Sequence, residues 1–143
     1  MASSQHLFHL VTQVHRARKA AISRQAELLK KYELTPLDWA ILLSIHHDPG
    51  RSQASVARSI GRAPSNVRNP IEILEERGLI QRGPDEVDRR ANTTILSLNG
   101  SSLVEKLLPA FEAVDQALLE GLSEKDQQEL ERLLRAILEN GRR

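Results

Sequence analysis

The sequence contains no cysteine in its 143 residues. Disulfides, thiolate metal ligands and thiol-based redox sensing are therefore excluded together. Aromatic residues are scarce: Phe8, Tyr32, Trp39 and Phe111 are all there are. The core must be aliphatic, and leucines at helical spacing favour a helix-rich protein. No stretch approaches the roughly 18 apolar residues that a membrane helix requires. The opening Met-Ala-Ser-Ser-Gln-His shows no basic segment leading into an apolar one, so no secretory signal is visible. These absences suit a cytoplasmic protein. Internal repeats and low-complexity linkers are also lacking.

What is present is a globular composition, 40% apolar and 27% charged, sufficient to bury a core in one unit spanning 1–143. The net charge of +1 is unevenly spread. Residues 1–33 carry six Lys/Arg against two acids, and residues 51–100 carry eight Arg against six acids. Residues 101–143 carry six bases against nine acids. A basic centre beside an acidic C-terminal part is compatible with nucleic-acid binding without establishing it.

Residues 5–33 read as one long helix, free of Gly and Pro, with Leu7, Leu10, Val11, Val14, Arg18, Ala21 and Ile22 at three-four spacing. Its first turns are apolar on more than one side, Phe8 included, which a monomer would struggle to cover. Thr35-Pro36 opens a second helix as N-cap and first helical residue. That helix runs to about His47, where Asp48-Pro49-Gly50 turns the chain. Ser52 caps a third, short helix ended by Gly61. Ala63-Pro64 opens a fourth, with Val67, Ile71 and Leu74 on its apolar face and Gly78 closing it. Two short helices around a Gly-containing turn form a helix-turn-helix pattern.

Residues 79–82 and 93–98 then alternate as strands of a hairpin with Asp85 to Arg90 at its tip. After Asn99-Gly100, residues 101–121 read as a helix bent at Pro109. Ser123 caps a last helix whose single apolar stripe is Leu130, Leu133, Leu134, Ile137 and Leu138. The expected architecture is mainly α, in the order α-α-α-α-β-β-α-α. A winged helix-turn-helix lobe (34–100) lies between N- and C-terminal dimerisation helices (1–33 and 101–143).

This order, together with Ile73-Leu74-Glu75-Glu76-Arg77-Gly78-Leu79-Ile80-Gln81-Arg82, Asp88-Arg89-Arg90 and Leu96-Ser97-Leu98-Asn99-Gly100, resembles the MarR family of bacterial transcription regulators. Val56-Ala57 stands where that family usually has Leu-Ala, and Pro64-Ser65-Asn66-Val67 matches its Pro-Ser-x-Val start of the recognition helix. Leu98-Asn99-Gly100 is a shortened form of the family's Leu-Thr-x-x-Gly. Pro70 departs from the pattern. It cannot donate to the Asn66 carbonyl, which predicts a kink or a loosened turn inside the recognition helix.

The resemblance implies a regulator binding a palindromic operator as a homodimer, with family precedent favouring repression. Base edges carry sequence information and phosphates carry affinity. The N-terminal part of a recognition helix enters the major groove, making Ser65, Asn66, Arg68 and Asn69 the expected readers. Arg68 suits guanine, and Asn66 or Asn69 suits adenine. Ser52, Gln53 and Arg62 are placed for phosphates. In the wing, Arg89 and Arg90 are expected to contact DNA, Arg89 at the minor groove, with Asp88 fixing the hairpin through an arginine, a pairing that the resemblance gives to Arg90.

A two-fold dimer matches a palindrome. Candidate interface residues are Leu7, Leu10 and Val11 at one end of the chain. At the other end they are Leu118, Leu119, Leu122, Leu130, Leu133, Leu134 and Leu138. The family's members commonly bind small aromatic or phenolic acids, and His15, Arg16 and Trp39 are candidates to line such a site, with Arg16 as the carboxylate partner.

Three other readings compete with this one. An enzyme is not expected, because no Ser/His/Asp arrangement, glycine-rich phosphate loop or paired-carboxylate site stands out. No metal site is expected either. A metal-sensing regulator would have to use His6, His9, His15, His46 and His47, the strongest ligands available. A winged-helix module that binds a protein and leaves DNA alone is opposed by the bases on both the fourth helix and the wing.

Overall fold

The computed structural model describes residues 3–84 and 92–143. The chain forms α1 (Ser4–Lys30), α2 (Pro36–His47), β1 (Arg51–Ser52), α3 (Gln53–Ser59), α4 (Pro64–Glu76), β2 (Ile80–Pro84), β3 (Asn92–Leu96), α5 (Leu98–Leu118) and α6 (Glu124–Gly141). The helix starts are chemically explicit. Thr35 and Asp38 form a reciprocal capping box at α2, with Pro36 in the first turn, satisfying amide groups that a helix start leaves unpaired. Ser123 and Asp126 repeat the device at α6. Gly61 and Gly78 follow α3 and α4 with φ of 69° and 74°, the left-handed conformation that glycine takes without penalty.

The core lies where α2 meets α4, α5 and the C-terminal end of α1. Leu29, Ile41, Leu42, Ile45, Val67, Ile71, Leu74 and Leu107 are fully buried there. α4 and α5 contribute residues at three-four spacing from one face, whereas α2 is buried or half-buried along nearly its whole length. Trp39 stacks face to face on Phe111, with ring centroids 4.5 Å apart and planes within 2°. The few aromatics are thus spent partly on joining α2 to α5.

Three expectations need correction. The wing is part of a three-stranded antiparallel sheet in the order β1-β3-β2, where a two-stranded hairpin was expected. Arg51 and Ser52 pair with Thr94 and Thr93. β3 is therefore central, and its fully buried Thr94 hydroxyl donates to the Arg51 carbonyl at 3.1 Å, the partner that a buried polar group requires. The fifth helix starts at Leu98, capped by Ser97, and so takes Asn99-Gly100 into its first turn. The first helix ends at Lys30, short of 33, because residues 31–34 fold back on its last carbonyls. The fourth helix, α4, continues through Pro70 to Glu76. One missing bond mid-helix is tolerated where Val67, Ile71 and Leu74 anchor both sides of it in the core.

Candidate nucleic-acid interface

The helix-turn-helix is α3 and α4. Buried Val56 and Ala57 hold α3 against the core, and Ser52 accepts from the Ser55 amide at 3.2 Å to cap it. Ser52 is thus fixed between the sheet and the helix. Gln53 is half-buried, and its Nε2 is buried with no hydrogen-bond partner among the described residues. Arg62 is exposed in the turn, where its amide donates to the Ala57 carbonyl at 2.9 Å.

On α4 the inward face is Val67, Ile71 and Leu74, all fully buried. Ser65, Asn66, Arg68 and Asn69 are exposed. The structure therefore brings these four onto the outward surface of one two-turn segment at the N-terminal end of α4. Ala63 at the N-cap offers no side-chain cap, so this end keeps backbone donors and the positive pole of the helix dipole open to an anion. Arg68 Nε lies 3.3 Å from Glu72 Oε1, with the arginine side chain 77% exposed. An ion pair in water is worth little, so the guanidinium is free to exchange its partner.

The C-terminal end of α4 is tied on three sides. Glu75 pairs with Arg82 of β2. The Ser97 hydroxyl donates to the Gly78 carbonyl at 2.5 Å and accepts from the Gly100 amide at 3.0 Å, joining α4 to the start of α5. Arg77 donates to the carbonyls of Glu33 and Tyr32 at 2.7 and 3.0 Å. β2 and β3 pair from Ile80↔Leu96 to Pro84↔Asn92. Asp88, Arg89 and Arg90 lie outside the described residues.

The interface candidates are found on unpartnered surface. α6 has no buried residue, and Leu130, Leu133, Leu134 and Leu138 are exposed along it. Leu7, Leu10, Val11 and Leu122 are exposed, while Leu118 and Leu119 are half-buried. Phe8, at 75% exposure, and Val14 and Ile137 are exposed apolar residues on the same helices. On α6, hydrogen bonds from Arg132 hold the Glu129 carboxyl below its usual range and raise the arginine in turn.

A groove of about 1150 Å³ opens between α2, α5 and the turn before α6. Trp39, Leu43, Leu108 and Phe111 line it, with Glu105, Glu112, Asp115 and Glu120. Gln25 of α1 donates to Asp115 there at 3.2 Å. Trp39 is thus at a cavity wall, although it is only 8% exposed. His15 and Arg16 are exposed on α1 and do not line this groove, so one chain does not bring the three ligand candidates together. Among the described residues, no group of three His, Asp or Glu side chains is placed to hold a metal ion, and no helix is long and apolar enough to cross a membrane.

The fold has close solved counterparts. AbsC of Streptomyces coelicolor, a MarR family transcriptional regulator, is 21% identical with a TM-score of 0.86, covering 99% of this chain and 97% of its own. The transcriptional repressor CouR, solved bound to a 23-mer DNA duplex, is 24% identical with a TM-score of 0.83, covering 96% and 99%. BpsR of Bordetella bronchiseptica, whose DNA binding is regulated by 6-hydroxynicotinic acid, is 24% identical with a TM-score of 0.81, covering 90% and 98%. A sequence model of the MarR family matches residues 32–91, the stretch from the end of α1 through the helix-turn-helix and into the wing. Residues 32–91 of this chain are thus similar to the MarR family, and the chain as a whole shares the winged-helix fold of solved regulators of that family.

Proposed function

We propose that the protein is a sequence-specific double-stranded-DNA-binding repressor that acts as a homodimer on a palindromic operator. The observation that carries this reading is the surface of α4: Ser65, Asn66, Arg68 and Asn69 stand exposed on a helix whose opposite face is locked in the core. Hydrogen-bonding side chains on a rigid helix are what base edges in the major groove require. Ser52, Gln53 and Arg62 would meet phosphates beside it, and Arg89 and Arg90 of the wing would extend the contact. The two-fold partner would cover the leucine face of α6 and the apolar first turns of α1. CouR bound to duplex DNA gives the precedent for this docking.

The groove under Trp39 supports response to a small aromatic effector, as BpsR responds to 6-hydroxynicotinic acid. An acidic effector needs a cation to offset the four carboxylates on the groove wall. Arg16 or His15 from the second copy would supply one.

The test is selection of bound duplexes from a random pool, with and without phenolic acids. A palindromic consensus is expected, weakened by an active acid. A flat outcome in both arms would replace this reading with that of a protein-binding module.

A further inference from the structure

We infer that Arg77 is a positioning residue that fixes the angle between the dimerisation helix α1 and the recognition helix α4, and thereby the operator half-site spacing that the dimer accepts. The inference rests on the dimeric DNA-binding reading above. It starts from the way the two helices are held. α1 packs on α2 and α5, whereas α4 packs on α2, α3 and β2. Among the described residues, the polar bridge between the end of α4 and the end of α1 is the Arg77 fork. Nη1 donates to the Glu33 carbonyl at 2.7 Å and Nη2 to the Tyr32 carbonyl at 3.0 Å.

The chemistry of this bridge is directional. The two carbonyls belong to the turn that follows α1, where residues 32–34 donate back to the Leu29 and Lys30 carbonyls at the end of the helix. Glu33 has a φ of 55°, the one left-handed non-glycine residue among those described, and it turns the chain at the point where the fork takes hold. A planar guanidinium can satisfy two neighbouring carbonyls at once; an ammonium is a point donor and cannot reproduce the fork. The same turn is held from a third side, because Lys106 Nζ of α5 lies 5.4 Å from the centre of the Tyr32 ring.

Two exposed hydrogen bonds add little to global stability. Their effect is on orientation. α1 is 27 residues long, a lever of roughly 40 Å at the usual rise per residue. Its other end carries Leu7, Phe8, Leu10 and Val11, the apolar surface that a second copy would cover. The two recognition helices of a dimer must enter the groove about one helical turn, roughly 34 Å, apart. A hinge loosened at residues 32–33 spreads that separation over a range.

The experiment measures binding of the full chain, at one fixed salt concentration, to duplexes carrying the selected half-sites at the natural spacing and at one base pair shorter and longer. A duplex with a single half-site is the control. The wild type is expected to prefer the natural spacing by about tenfold or more, a difference of roughly 1.4 kcal/mol. Arg77→Ala and Arg77→Lys are both expected to reduce that ratio to about threefold or less, with single half-site affinity and the thermal midpoint unchanged. The lysine variant keeps the charge and the aliphatic stem, so it stays informative if the alanine variant folds poorly. Retention of the wild-type ratio by both variants overturns the inference, as does a parallel loss of half-site binding and spacing preference. Wild-type binding without any spacing preference also overturns it while leaving the DNA-binding reading standing. Absence of wild-type binding to any duplex removes both.

Discussion

Gly100 sits against the Leu79 peptide so tightly that a Cβ on it would overlap the Leu79 carbonyl oxygen and stand 3.0 Å from the carbonyl carbon. That oxygen accepts from the Ser97 amide at 3.1 Å, so it cannot retreat without breaking the bond that holds the N-cap residue of α5. The start of α5 is thereby pressed against the start of β2. Gly100→Ala is expected to destabilise the fold by about 1–3 kcal/mol, the usual cost of overpacking a filled site. Urea unfolding checks this as a lower midpoint at unchanged slope.

Arg68 and Arg89 are expected to separate selectivity from affinity. Arg68→Ala removes the fork proposed to read a base edge and should relax preference at one position per half-site, at a cost of about 1–3 kcal/mol on the preferred sequence. Arg89→Ala should weaken binding to all sequences alike and lower the salt dependence. Gel-shift titrations of both variants on selected and scrambled duplexes decide between these roles. Wild-type behaviour in both variants would remove α4 and the wing as the contact surface.

Pro70 deprives the Asn66 carbonyl of its helical donor in the middle of α4. Pro70→Ala restores that donor and is expected to raise the thermal midpoint, by an amount corresponding to about 1 kcal/mol or more. A fall in the midpoint would mean that the half-buried ring contributes more by packing than the missing bond costs.

The leucine face of α6 is expected to carry self-association. Leu134→Lys, a charge placed in an apolar seam, should shift the sedimenting species from dimer to monomer at micromolar concentration. An unchanged sedimentation coefficient would place the dimer contact elsewhere.

Much of this architecture can be read locally. Thr35-Pro36, Ser52 and Ser123 mark helix starts because a cap is a three-residue event. Gly61 and Gly78 mark helix ends because the left-handed turn needs only one residue. The strand β1 was not legible. It is two residues long, and only its pairing with Thr93 and Thr94 makes it a strand. Asn99-Gly100 misled for a related reason, since a glycine required by a tertiary contact looks the same in sequence as one required by a turn.

The exposure of Ser65, Asn66, Arg68 and Asn69 on α4 followed from helical spacing, because Val67, Ile71 and Leu74 fix which side faces inward. The groove and its carboxylates did not, because its walls come from α2 and α5, far apart in sequence. Arg77 was in plain view within the most specific motif. Its partners lie 44 and 45 residues away, and no local pattern announces a donor to backbone carbonyls.

The last helix buries nothing within its own chain. Eighteen residues of helix gain little from propensity alone, and most helical stability in proteins comes from packing an apolar face. In the proposed dimer, that packing is supplied by another molecule, so folding of α6 and encounter with the partner are one equilibrium. The melting temperature of this protein should then rise with its concentration. On dilution, the C-terminal helix should be among the first structures to fray, and operator occupancy would then respond more steeply than linearly to the number of copies made.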